Sequence, residues 1–280
     1  MMNFVSISLL VSLEMVKFAQ GVFIEKDWMI YDEEKDIPTK VQSSNLNEEL
    51  GMVHYIFSDK TGTLTKNIMD FKKFSAGFVS YGNDKEELYP GKYEKGLTNV
   101  GFTSQDFEDD WTKPLQAGLP PNNPYLGSMI NILALCHTII VESKDGELHY
   151  NASSPDELAL TNAARFFGVV FKERDEDGNI LIENKFSQQT SKYELLNIIE
   201  FNSSRKRMSV IVKDPSGKII IMTKGADSII IPRLRPGQDK LIDKTQEFLT
   251  QYANAGLRTL ILAEREIDSQ FYSEWEKKYG

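Results

Sequence analysis

The sequence predicts an α/β segment followed by a larger α+β domain, in which helices flank antiparallel strands, all behind a short apolar N-terminal helix. Three observations carry this. A short apolar run at residues 53–57 delivers Ser58-Asp59 and turns at Gly62, which reads as a buried strand in a parallel sheet with a carboxylate just beyond its end. Residues 208–212 and 219–222 flank Asp214-Pro215-Ser216-Gly217, a turn between two arms of an antiparallel hairpin. Leu126, Met129, Ile130, Leu133 and His137 recur at helical spacing within residues 125–141, which predicts a core-facing helix.

The 280 residues suffice for roughly one to two domains. Hydrophobic residues at 41% and charged residues at 26% are ordinary for a globular chain. A formal net charge of −9 argues against nucleic acid or acidic lipid held by bulk charge and leaves room for local basic clusters. Cys136 is the sole cysteine, so there is no disulfide framework, and a reducing environment fits.

Taken in order, residues 1–24 are apolar but interrupted by Glu14 and Lys17. The uncharged part is shorter than the roughly twenty residues a bilayer requires. A signal peptide, a buried helix and the C-terminal part of a transmembrane helix all remain open. Residues 25–50 read as a charged stalk or linker with Pro38 as breaker, closed by Asn45-Leu46-Asn47-Glu48-Glu49-Leu50-Gly51, an Asn-capped helical turn. Residues 51–70 hold the first strand and its loop. Residues 71–280 form the α+β domain. Across that boundary, residues 69–78 look like a strand leaving the first sheet. Residues 80–123, polar and broken by Pro114, Pro120 and Pro121, read as a long, partly disordered surface excursion.

Cys136 and His137 read as core residues. Ser154-Pro155-Asp156-Glu157 has the form of a capping box opening a helix that stops at Gly168. Glu157 would then close the cap, or touch a ligand, or both. Residues 195–201 read as a strand ending in Phe201, either core or a ring for a base to stack on. Arg205, Lys206 and Arg207 form a basic cluster, suited to a solvated hairpin end or a triphosphate. In Lys224-Gly225-Ala226-Asp227, the glycine permits a sharp turn that would aim Lys224 over the sheet. Residues 239–255 predict a helix ended by Gly256, residues 259–263 a strand opened by Arg258, and residues 268–279 a last helix.

Asp59-Lys60-Thr61-Gly62-Thr63-Leu64-Thr65 resembles the phosphorylation motif of P-type ATPases. Ser154-Pro155-Asp156-Glu157, Phe201-Asn202-Ser203, Lys224-Gly225-Ala226-Asp227 and Gly256-Leu257-Arg258-Thr259-Leu260 are similar to that family's nucleotide-site motifs, in family order. The string at 45–51 and Ser6-Ile7-Ser8-Leu9 are similar to the phospholipid-flippase branch, which carries proline where Ser6 stands and lines its substrate path with the residue at Ile7.

The resemblance implies a haloacid-dehalogenase-like, Rossmann-type phosphorylation-domain start with an inserted nucleotide-binding domain, behind a transmembrane helix remnant. It further implies that Asp59 accepts the γ-phosphoryl of ATP, with Lys60 neutralising charge and Mg²⁺ held by Asp59 and the Thr61 backbone oxygen. Glu157 and Phe201 would hold adenine, and Ser203, Lys206, Lys224 and Arg258 would complete the site. Related phosphatases carry a second aspartate where Thr61 stands; without it water is poorly activated and a phosphoaspartate would persist. The expected function is ATP-driven phospholipid translocation by an integral membrane protein whose present segment is mostly cytosolic, with phospholipid and membrane as partners and an accessory membrane subunit left open. The family's later metal-site and dephosphorylation motifs do not occur here, so this chain alone is expected to bind ATP without turning it over. A non-catalytic ATP-binding module and a cation-transporting P-type ATPase are the alternatives. Thr61 argues against a soluble phosphatase or mutase.

Overall fold

A computed structural model describes residues 7–33, 35–82, 97–144 and 147–279. The chain forms two compact units, Met1–Lys66 and Asn67–Gly280.

In the first unit, α1 (Ile7–Glu25) carries apolar residues on every side, interrupted by Glu14 and Lys17. Leu9, Leu10, Val11, Met15, Phe18 and Phe23 are all at least half exposed. No helix among the described residues is long and apolar enough to cross a membrane. The chain folds back along α1: the Val41 N–H donates to Glu25 Oε1 at 3.1 Å, and Asn47 Nδ2 donates to the Lys17 carbonyl at 3.3 Å. The expected helical turn forms, but without an Asn cap. A 3-10 turn, Ser44–Leu46, runs directly into α2 (Asn47–Leu50), so Asn45 lies inside the turn and makes no cap.

The buried strand expected at 53–57 is not formed. Tyr55, Ile56 and Phe57 are 83%, 85% and 97% exposed, in irregular backbone. A parallel strand is held only by neighbouring strands, and no strand is described in this unit to pair with it.

The second unit begins with a small hairpin, β1 (Phe74–Ala76) and β2 (Val79–Tyr81), turning at Gly77. The single strand expected at 69–78 is therefore shorter and doubles back. Residues 83–96 of the expected excursion lie outside the described residues. The remainder is not a surface excursion. α3 (Gln105–Phe107), a π-helical turn (Glu108–Thr112) and α4 (Lys113–Gln116) put Phe107 and Trp111 in the core with Phe102 and Val100. Their irregular spacing matches no single period, which is why the pattern reads as loop.

α5 (Tyr125–Leu135), the hairpin β3 (Ile140–Lys144) and β4 (Glu147–Asn151), and α6 (Pro155–Phe166) follow. Then comes a six-stranded antiparallel sheet of β5 (Val169–Arg174), β6 (Ile180–Asn184), β7 (Gln189–Ile199), β8 (Arg207–Lys213), β9 (Ile219–Gly225) and β10 (Ile261–Ile267), ordered β10-β9-β8-β7-β6-β5. α7 (Asp227–Ile230) and α8 (Asp239–Asn254) lie between β9 and β10, and α9 (Ser269–Tyr279) ends the chain.

Met208, Val210, Val212 and Met222 join the main core with residues of α5 and α6. Ile211 and Ile219 form a second, smaller cluster with Tyr272 of α9. β8 is thus buried on both faces, not on alternate positions alone. This antiparallel sheet with flanking helices is the α+β domain the sequence predicts.

Candidate functional site

The site is built where the end of β9 meets the first turn of α6. Lys224 lies opposite Met208 and Leu262 in the sheet. Its Nζ donates to Glu157 Oε1 at 2.8 Å, and both side chains are only 10% exposed. The other carboxylate oxygen, Oε2, accepts from the Thr138 N–H at 3.0 Å and the Thr138 hydroxyl at 2.8 Å. Burial opposes the charge on Glu157, but Lys224 and the two Thr138 donors outweigh it and hold the carboxyl below the usual carboxylate range. Glu157 therefore does not close a capping box. Ser154 is the N-cap and Pro155 the first residue of α6, yet the Ser154 side chain makes no cap bond. The helix start instead delivers a carboxylate to the sheet.

Thr138 sits in the turn after α5. The buried His137 ring braces that turn: Nε2 is 2.8 Å from the Ala134 carbonyl, and the Ile139 N–H meets Nδ1 at 3.2 Å. These partners assign the neutral tautomer with the proton on Nε2. Burial, reinforced by Lys224 and Arg174, pushes His137 down to about 3. Arg174 Nη2 donates to the His137 carbonyl at 2.8 Å. Beside Glu157, Asp156 Oδ2 is 3.1 Å from Arg258 Nη2, and Arg258 remains 64% exposed.

The loop from β7 to β8 approaches the same strand ends. Asn202 Oδ1 accepts from the N–H groups of Ser204 and Arg205 at 3.2 and 2.7 Å, an Asx turn. Lys206 takes φ 50°, and its carbonyl accepts the Ala226 N–H at 3.1 Å. That approach requires Gly225, because a Cβ there would lie 2.7 Å from the Lys206 carbonyl oxygen and 2.6 Å from Arg207 Cβ. The expected basic cluster splits. Arg205 folds back, its Nη1 donating to the carbonyls of Ile199 and Glu200, while Lys206 stays exposed.

The structure thus joins Glu157 directly to Lys224, ties Arg258 to the neighbouring Asp156, and fastens the Lys206 backbone beside Gly225. Phe201 is 61% exposed beyond the end of β7, so it is no core residue. Ser203 is exposed on the same loop. Among the described residues neither has a hydrogen bond or ring contact to the Glu157–Lys224 pair. Thr138 and Asp156 are supporting residues that sequence reasoning missed. Thr138 carries no local signal, because only tertiary packing brings it to Glu157.

In the first unit Asp59, Lys60 and Thr61 are exposed. The turn after them closes on the Lys60 carbonyl, which accepts the N–H groups of Leu64 and Thr65 at 3.0 and 3.1 Å, with Gly62 at φ 78°. Ile7 opens α1; its side chain is outside the described residues.

The antiparallel sheet and the start of α6 thus gather a carboxylate and a buried lysine, with exposed cations on the neighbouring segments. Residues 126–279, more than half of the chain, match the family described as P-type ATPase, cytoplasmic domain N. The chain belongs to the P-type ATPases. It is 44% identical to phospholipid-transporting ATPase IC of Xenopus tropicalis over 98% of its length and 22% of the relative's. It is 42% identical to phospholipid-transporting ATPase ID of Mus musculus over 98% of this chain and 23% of that one. Phospholipid-transporting ATPase DRS2 of Saccharomyces cerevisiae is 41% identical over 99% of this chain and 20% of its own length. The chain therefore spans about a fifth of the length of the curated relatives it matches.

Proposed function

We propose that the chain is a segment of an ATP-driven phospholipid translocase in which ATP binds beside Glu157 and Lys224 and phosphorylates Asp59. The observation that carries this reading is similarity along 98% of the chain to proteins named phospholipid-transporting ATPases, with the Asp59-Lys60-Thr61-Gly62-Thr63-Leu64-Thr65 string inside the matched length.

The residues present suit ATP. Glu157 offers an acceptor to the amine of the base, and the exposed Phe201 ring offers a face for stacking, worth about 1–3 kcal/mol in comparable contacts. Lys224 completes the site beside Glu157, and Ser203, Lys206 and Arg258 supply a hydroxyl and two cations for phosphate oxygens; the guanidinium fork matches that geometry. Asp59 and the Thr61 carbonyl would hold Mg²⁺, with waters filling the rest of its shell. When bound, the ion neutralises charge on the phosphates.

In the proposed step an Asp59 carboxylate oxygen bonds to the γ-phosphorus while the bond to the bridging oxygen breaks, and ADP leaves with that electron pair. Lys60 offsets the developing charge. With Thr61 in place of a second carboxylate, the acyl-phosphate outlives a phosphatase intermediate. Residues 51–70 would complete a haloacid-dehalogenase-like strand and loop once neighbouring strands pair with them. α1 would be the C-terminal part of a transmembrane helix, with Ile7 on the lipid path and the rest of this segment on the cytosolic side. Its apolar residues, exposed on all sides, support that reading, since such a helix is buried in protein or lipid.

The test uses the intact parent polypeptide with γ-labelled ATP. Hydroxylamine-sensitive label should appear in the Asp59 peptide and vanish in Asp59→Asn. No label under conditions that support turnover would overturn the proposal.

A further inference from the structure

A carboxylate has about four lone-pair positions. Among the described residues, three of those in Glu157 are occupied: two on Oε2 by the Thr138 N–H and hydroxyl, and one on Oε1 by Lys224. The remaining position is on Oε1. Thr138 cannot easily yield, because the turn carrying it is fastened on both sides. The His137 ring bridges the Ala134 carbonyl and the Ile139 N–H, and Arg174 holds the His137 carbonyl.

We propose that Thr138 is a positioning residue of this site: by saturating Oε2 it fixes the carboxylate so that a nucleobase amine is received only at Oε1, beside Lys224. The inference rests on the reading that the site takes ATP. Its consequence is base selectivity. Adenine presents an exocyclic amine that a fixed, charged acceptor welcomes. Guanine presents a carbonyl oxygen at the corresponding position, which the same oxygen repels. A carboxylate free to rotate would lose part of both effects.

The test measures ATP and GTP binding by calorimetry on the 280-residue chain, comparing wild type with Thr138→Val and Thr138→Ser. Removing a hydrogen bond to a charged group supports an expected loss of about tenfold in ATP affinity for Thr138→Val. GTP affinity should hold, so the ATP preference falls by the same factor, and Thr138→Ser should restore it. An unchanged preference in Thr138→Val, or equal losses in the valine and serine variants, would overturn the role of Thr138 while leaving ATP binding standing. Wild type that binds no ATP would sink the nucleotide reading and this inference with it. Should Thr138→Val not fold, amide hydrogen exchange in wild type decides. Protection of the Thr138 N–H should persist when ATP binds, and its loss would mean that Glu157 turns away from Thr138.

Discussion

Lys224 and Glu157 show what a single buried pair commits the fold to. Truncating Lys224 to alanine leaves a charge in a site where each side chain is 10% exposed, and breaking such a pair costs about 3–5 kcal/mol. Urea unfolding of Lys224→Ala at neutral pH should show a loss in that range. The pH dependence should change as well. Because the Glu157 carboxyl is lowered in the fold, its contribution is present above the ordinary carboxylate range and fades as pH falls through the folded value. Without Lys224, burial acts with less opposition, so this acid loss should shrink in the variant. His137 acts at higher pH. Held down to about 3 by burial, against about 6.5 when unfolded, it binds a proton only in the unfolded chain between those values. Stability should therefore fall on acidification through that window, by about 2 kcal/mol between pH 7 and pH 5. Denaturation at the two pH values should show a smaller drop for His137→Gln. Arg258 behaves differently. It is 64% exposed, so Arg258→Ala should change unfolding free energy by less than about 1 kcal/mol while weakening ATP binding measurably.

At the scale of elements, the β7–β8 loop and the end of β9 form one device. Lys206 adopts a left-handed backbone and Gly225 leaves the room that makes their contact possible. Gly225→Ala must move backbone, not merely a flexible side chain, and overpacking of this kind costs about 1–3 kcal/mol. Thermal unfolding should register that loss, and ATP binding should fall with it, because the loop carrying Phe201, Ser203 and Lys206 is displaced. The segment at 100–116 gives a second case. Trp111 is buried, and its Nε1–H donates to the Phe167 carbonyl at 2.8 Å. Trp111→Ala should destabilise the domain by about 3–5 kcal/mol, an outcome a surface excursion would not produce.

At the scale of the whole molecule, the unit Asn67–Gly280 holds both hydrophobic clusters, the six-stranded sheet and every residue of the proposed nucleotide site except those around Asp59. Residues 67–280 produced alone should therefore fold cooperatively and bind ATP with the affinity of the longer chain. Circular dichroism melting and calorimetry check this; a molten or non-binding product would show that the first unit is needed for the site.

Local chemistry was legible in the sequence wherever one short stretch sufficed. The hairpin around Gly217, the helix stops at Gly168 and Gly256, and the core face of Leu126, Met129, Ile130 and Leu133 all depend on turn stereochemistry or a helical period, and the fold contains them. Lys224 and Glu157 were also named from their motifs, but their direct pairing was not. That pairing depends on two elements meeting across 67 residues; the double claim of Thr138 on Glu157 Oε2 spans 19 and takes the place of the capping box that spacing alone suggests. The aromatic cluster of Phe102, Phe107 and Trp111 had no period to betray it. The run at 53–57 had the composition of a strand but no partner. Composition and spacing determine what a segment is able to become; long-range packing, through burial and hydrogen bonding among distant residues, decides which of those possibilities is stable.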